Sequence, residues 1–175
     1  MSDLASFVAS HEGPVVRVHP GPGSRPVRAA ARGRIEASPQ RVWDTLFDVE
    51  RFARKLPMVD HARRRGEDVQ FDLKFRVGFF SAGFDFLARQ TSEPGKWIAY
   101  DWKSGEPRDI HMRFTMFPIE GQPDACTVET EAGFDVQSLG WLVKYFLKHH
   151  PEIQHGIFPG ITLVLLDSIR RAIAE

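Results

Sequence analysis

The densest group of chemically able residues lies in "KHHPEIQHG" (148–156), where His149, His150, Glu152 and His155 fall within seven positions. Imidazole and carboxylate are ligands for zinc and iron, so the cluster raises a metal site. The spacing argues against one. In a helix His149 and His150 point about 100° apart and do not face each other. His150 precedes Pro151, whose ring pushes it out of the helical region. Glu152 and His155 form one Glu-x-x-His pair, but a di-iron bundle needs two such pairs and two further glutamates. The chain has no second pair and no His-Glu-x-x-His zinc motif. The cluster is read instead as the basic last turn of one helix, with Pro151 opening the next. No metal and no other cofactor is expected.

Other reactive types are scattered. Asp85, Asp101, Asp109, His111, Arg113 and Glu129 would serve acid–base chemistry only if they faced inward. Strand alternation sends Asp85, His111, Arg113 and Glu129 to the wet face. Cys126 begins a strand and reads as a small packed residue. No Ser/His/Asp or Cys/His arrangement can be assembled, so catalytic residues stay unassigned. The basic run "HARRRG" (61–66) reads as a solvated edge.

The chain of 175 residues suits one domain. Its 23 basic and 23 acidic residues cancel, which counts against a nucleic-acid partner. A single cysteine excludes an intrachain disulfide and fits a reducing compartment. The start, "MSDLASFVAS", has an acid at Asp3, no basic lead and no long apolar run, so no signal peptide is expected. The late stretch from Ile153 to Leu166 lacks charged residues but carries Gln154, His155, Gly156, Pro159 and Gly160. A membrane span needs ~20 mostly apolar residues, so no transmembrane segment is expected. These features predict a soluble, cytoplasmic protein. The count of 14 Phe against 4 Trp and 2 Tyr points to a large core or an apolar cavity.

Residues 1–26 read as an arm, broken by the turn-rich "HPGPGSRP" (19–26), with "PVVRV" before it as a short edge strand. Residues 27–175 form the domain. "VRAAARGRIEA" alternates, with Ala29, Ala31, Gly33 and Ile35 on one side. Ser38 and Pro39 then start a helix carrying Val42, Leu46 and Val49, and Asp48 caps a second short helix ended by Pro57. Alternating segments follow, separated by turns at regular spacing: "DVQFDLKFRV", "FSAGFDFLARQ", "WIAYDWK", "IHMRFTMFPI" and "ACTVETEAGFDV". The parity of 97–102 leaves Trp97 and Trp102 as alternatives for the inner face. At the end, Ser138 can cap "LGWLVKYFLKHH". From Gly160 a wide stripe of Ile161, Val164, Leu165, Ser168, Ile169, Ala172 and Ile173 marks a buried helix.

In this order of elements the chain resembles the START-like, helix-grip superfamily, in particular its polyketide cyclase/dehydrase and ubiquinone-binding branches. The resemblance is carried by "IEASPQRVWDTLFDVERFARKLP" (35–57), "FFSAGFDFLARQTSEPGKWIAYDW" (79–102) and "MRFTMFPIEGQPDACTVETEAGFDV" (112–136). It covers about residues 27–175, and its motifs specify a fold rather than an activity. It implies an α+β fold: a curved antiparallel sheet of about six to seven strands around a long C-terminal helix, with two short helices after the first strand. The family's last helix is near-continuous, whereas here Pro151 and Pro159 are expected to interrupt it.

Under that fold the apolar strand faces look toward the last helix. Phe71, Leu73, Phe75, Phe84, Phe86, Tyr100, Trp102, Met112, Phe114, Met116, Thr130, Phe134, Ile161 and Leu165 then line either a plain core or a ligand cavity. The resemblance favours the cavity and a hydrophobic small molecule: lipid, quinone or polyketide-like. Trp141, Leu142, Tyr145 and Phe146 are read as a lid over it, within a movable segment 138–160. The alternative for this basic-aromatic helix is transient contact with a membrane surface. The alternative for the whole domain is a cyclase or aromatase-type enzyme, which would need inward ionisable groups.

Overall fold

The period-two pattern of the middle of the chain becomes one antiparallel sheet. A computed structural model describes residues 13–21, 26–77 and 80–175. Among these lie eight strands: β1 (Val15–Pro20), β2 (Pro26–Ile35), β3 (Val59–Arg65), β4 (Asp68–Val77), β5 (Phe80–Glu93), β6 (Trp97–Gly105), β7 (Arg108–Ile119) and β8 (Gln122–Asp135). They run side by side in the order β1-β2-β8-β7-β6-β5-β4-β3. A meander from β3 to β8 thus meets β2 at its far side, with β1 outermost. The sheet exceeds the expected six to seven strands because part of the arm joins it. Val15 to His19 pair with Arg32 to Arg28 along the edge of β2. The rest of the arm, 1–12 and 22–25, lies outside the described residues.

Two short helices follow β2. Helix α1 (Pro39–Phe47) starts where Ser38 Oγ accepts from Arg41 N at 3.3 Å, with Pro39 in its first turn. Helix α2 (Val49–Ala53) is capped by Asp48 Oδ1, which accepts from Arg51 N at 3.2 Å. Val42, Leu46, Val49 and Phe52 are buried by these helices.

The C-terminal region is α3 (Trp141–His149), a 3-10 turn (Pro151–Ile153) and α4 (Gln154–Ala174). Two expectations change here. Pro159 does not interrupt α4 but sits inside it. It lies near the helix start, so its missing N–H frees only the carbonyl of exposed His155, which water can reach. The break occurs at His150 alone, with φ −134° and ψ 66° before Pro151. Ser138 does not cap α3 either. It belongs to a 3-10 turn (Val136–Leu139), where its Oγ donates to Asp135 O at 2.6 Å and accepts from Arg108 N at 2.8 Å.

Helix α4 packs against β2 and β8 and not across the whole sheet. The reason is side-chain size. Ala29, Ala31 and Gly33 form the inner face of β2, all buried. A Cβ on Gly33 would lie 2.7 Å from Leu166 Cδ2, so the helix occupies the space a side chain would need. Thr130 on β8 fastens the contact: its buried Oγ1 donates to Thr162 O at 2.9 Å and lies 3.3 Å from Ala31 O. The inner faces of β4 and β5 carry larger side chains and lie away from the helix axis.

Candidate functional site

Between α4 and the β4–β5 side of the sheet the core is incomplete. A cavity of about 100 Å³ opens there. Its floor is Phe71 and Leu73 of β4, Phe86 of β5, Met112 of β7 and Ala132 to Phe134 of β8. Its roof is Ile161, Val164 and Leu165 of α4. The mouth is formed by Leu56 to Val59 after α2, by Pro107 and Ile110 at the β6–β7 turn, and by Leu139.

The floor is held rigidly by aromatic contacts. Phe71 stacks on Phe86 at 5.0 Å and meets Tyr100 edge-on at 5.5 Å. Phe134 meets Phe158 of α4 edge-on at 5.2 Å. Such offset and edge-to-face pairs fix ring orientation beyond what area burial does. The rim is tied by backbone hydrogen bonds: Lys74 N donates to Met58 O at 2.9 Å and Glu106 N to Asp85 O at 2.9 Å. Gly105 makes that last turn possible: its φ is 93°, and a side chain there would collide with the Asp85 carbonyl.

The expected lining residues divide into groups. Phe71, Leu73, Phe86, Met112, Phe134, Ile161 and Leu165 come together on the wall. Phe84 shares their face, opposite Leu73 in the β4–β5 register, but is not on the wall. Tyr100, Phe114 and Met116 are buried core beside the cavity. Their strands run under α1 and α2, whose Leu46 and Phe52 fill the space above them; Tyr100 Oη donates to Leu46 O at 3.4 Å and Phe52 meets Phe114 edge-on at 6.2 Å. Thr130 fastens α4 instead of lining the cavity. Trp102, not Trp97, faces inward, half-buried, with Nε1 donating to Gly105 O at 3.1 Å. Trp97 lies on the outer face under the Arg113 guanidinium, 4.3 Å from its ring centre. The side chain of Phe75 lies outside the described residues.

The expected lid is corrected. Trp141 is 77% exposed and Tyr145 56% exposed, so neither covers the cavity. Helix α3 turns Val143 and Leu147 inward instead, against Val136 and Phe158. These residues form the i, i+4 pair on its opposite face. The side chains of Leu142 and Phe146 lie outside the described residues.

Several lining residues escape sequence reasoning. Leu56, Pro57, Met58 and Pro107 lie in turns, where no periodicity marks a facing direction. Val164 belongs to the helical stripe, but the stripe alone does not separate wall from core.

The wall is almost wholly apolar, and no ionisable side chain is among its described residues. The charged groups lie elsewhere. His111 Nδ1 and Asp101 Oδ1 pair at 2.8 Å, and Arg32 donates to Glu129 at 2.9 Å, both on the outer face. Burial pushes the Cys126 thiol up to about 11, so it is no ready nucleophile. Burial likewise drives the Tyr100 phenol far above its usual range. Gln90 is buried two residues beyond Ala88, and its amide has no hydrogen-bond partner among the described residues, but it does not reach the wall. The histidine cluster does not converge. His150 Nδ1 approaches Glu152 Oε1 at 3.2 Å, His149 packs on the Tyr145 ring at 4.5 Å, and His155 is exposed. No group of three or more potential metal ligands forms among the described residues.

A sheet gripping one long helix over an apolar cavity defines the START-like helix-grip class, and the chain has that fold. The sequence pattern of the carbon monoxide dehydrogenase CoxG family matches residues 32–95, from β2 to the turn after β5. No curated protein matches the chain in sequence. Among solved structures, a START superfamily protein from Mycobacterium smegmatis has a TM-score of 0.63 at 13% identity, covering 84% of this chain and 97% of that one. A conserved protein from Geobacillus kaustophilus has a TM-score of 0.66 at 14% identity, covering 84% and 95%. The Zhui aromatase/cyclase from Streptomyces sp. R1128 has a TM-score of 0.54 at 15% identity, covering 90% and 96%. At these identities the likeness is one of fold.

Proposed function

We propose that this protein binds a hydrophobic small molecule, taking up its apolar chain between α4 and the β4–β5 side of the sheet. The observation that carries this reading is the cavity wall: apolar throughout, held by stacked rings, and left unfilled by the helix. Burying apolar ligand surface there yields ~25 cal/mol per Å² and asks no chemistry of the protein.

Size narrows the ligand. Pockets that enclose whole drug-sized molecules run from ~300 to ~1,000 Å³. A cavity of about 100 Å³ admits a chain end or one small ring. A polyketide or a quinone nucleus would need the mouth to widen. The ligand class favoured is therefore one with a slender apolar tail, such as a fatty-acyl or isoprenoid chain, whose polar head stays at the mouth. A cyclase would need ionisable groups aimed at the substrate, and the described wall has none. A cytoplasmic location belongs to the same reading; no described helix is long and apolar enough to cross a membrane.

Native mass spectrometry of freshly purified protein tests this directly. Co-purified lipid, or saturable binding of a fluorescent long-chain fatty acid, is expected. Ile161→Trp, which fills the cavity from the roof, should abolish that binding while leaving the fold intact. A protein that arrives empty and ignores the probe would sink the proposal.

A further inference from the structure

The exposed face of α3 is not explained by the cavity. Trp141, Lys144, Tyr145 and Lys148 follow the i, i+3, i+4, i+7 spacing and so lie within an arc of about 100° on one side of the helix. All four are exposed, and Trp141 at 77% is the most open large apolar side chain on the described surface. Val143 and Leu147 anchor the opposite side of α3 to the body of the protein. The stripe is thus presented on a fixed platform.

We infer that this stripe docks the protein on an anionic lipid bilayer, beside the cavity mouth; this rests on the proposed lipid-binding function. Trp and Tyr are the residues that settle at the headgroup level, where an apolar ring and a polar tip are both satisfied. Two lysines between them match negative lipid headgroups. Helix α3 carries no acidic residue, and its last turn adds Lys148 and His149. The nearest acid beyond it, Glu152, is occupied by His150 at 3.2 Å. Exposed Ile153, 48% open, continues the apolar contact past the end of α3. The stripe is also continuous with the cavity. Leu139, on the cavity mouth, is two residues before Trp141, with only Gly140 between them. Docking there holds the mouth close to the headgroups, so an acyl chain passes between bilayer and protein over a short aqueous path.

Vesicle sedimentation with the full chain tests the inference. Wild-type protein should bind vesicles of phosphatidylcholine with phosphatidylglycerol, bind phosphatidylcholine alone much less, and release in high salt. A double Lys144→Gln/Lys148→Gln variant should bind roughly tenfold more weakly, since each lysine near an anionic surface contributes substantially. A double Trp141→Ala/Tyr145→Ala variant should lose binding that salt alone does not remove. Both pairs are exposed, so unfolding melts matching wild type will show that the fold is kept. Absence of vesicle binding by wild type, or binding that neither double variant weakens, overturns the inference. The fatty-acid probe separates the two proposals. Solution binding of the probe should survive the Trp141→Ala/Tyr145→Ala change, and vesicle docking should survive Ile161→Trp. Docking without probe binding would leave the stripe standing and remove the lipid-binding reading beneath it.

Discussion

The two halves of the sheet meet the same helix in opposite ways. On the β2–β8 half, small inner residues let α4 approach until Leu166 lies over Gly33 and Thr130 reaches the Thr162 carbonyl. On the β4–β5 half, Phe71, Leu73 and Phe86 face Ile161, Val164 and Leu165 across a gap. Both halves are apolar and both alternate. What separates them is side-chain volume on the sheet, which sets how near the helix can come. A helix is straight and a sheet is curved, so close approach on one side leaves space on the other. The cavity is thus a consequence of where alanine and glycine fall along β2.

The sharpest test is one substitution made in both halves. Leu166→Ala removes a side chain only 1% exposed and should cost about 3–5 kcal/mol. Leu73→Ala, half-buried on the cavity wall, should cost about 1 kcal/mol and enlarge the cavity, because its side chain is not enclosed on every side. Urea melts measure both; equal costs would erase the distinction between halves. Next in size is Gly33→Ala. Its new methyl meets Leu166 Cδ2 at 2.7 Å and Arg170 Nη2 at 3.0 Å, and the shift of α4 should cost about 1–3 kcal/mol. The same variant should change the affinity for the fatty-acid probe, since lifting the helix on one side alters the gap on the other.

Smaller still is Thr130→Val, which keeps shape but removes the hydroxyl donor to Thr162 O; a loss of about 1 kcal/mol is expected. The weakest effect is in alkali. Cys126 sits fully buried at the end of the closed half, and its thiol is pushed up from 9.0 to about 11. The folded protein therefore holds that proton longer than the unfolded chain. Its contribution is fully present below about pH 9 and is lost as pH rises toward 11. Melts across that range should show a decline that Cys126→Ala reduces. Thiol reagents near neutral pH should modify Cys126 only after unfolding.

Much of the fold was legible because it rests on local patterns. Alternation in 69–77, 110–116 and 128–134 and the caps at Ser38 and Asp48 depend on neighbours in sequence, and the resemblance through 35–57, 79–102 and 112–136 holds at the level of the fold. The cavity was legible only in part. Phe71 and Tyr100 carry similar inward signals, yet one lines the wall and the other is covered by α1 and α2. Alternation gives the face of a residue, not what stands above it. Pro159 misled for a related reason: the proline rule concerns helix interiors, and near a helix start the lost bond matters little. Trp141 and Tyr145 misled because an amphipathic helix has two faces. Nothing in α3 alone says whether its aromatic-basic side or its Val143–Leu147 side turns inward.

Read alone, then, the chain determines an α+β domain of alternating strands closed by a C-terminal helix, because backbone geometry ties side-chain direction to position. The tertiary structure decided which apolar residues enclose space and which fill it. It also decided that α3 offers Trp141 and Lys144 to solvent. Those outcomes depend on the distance between α4 and each strand, and that distance is set by side chains far apart in sequence.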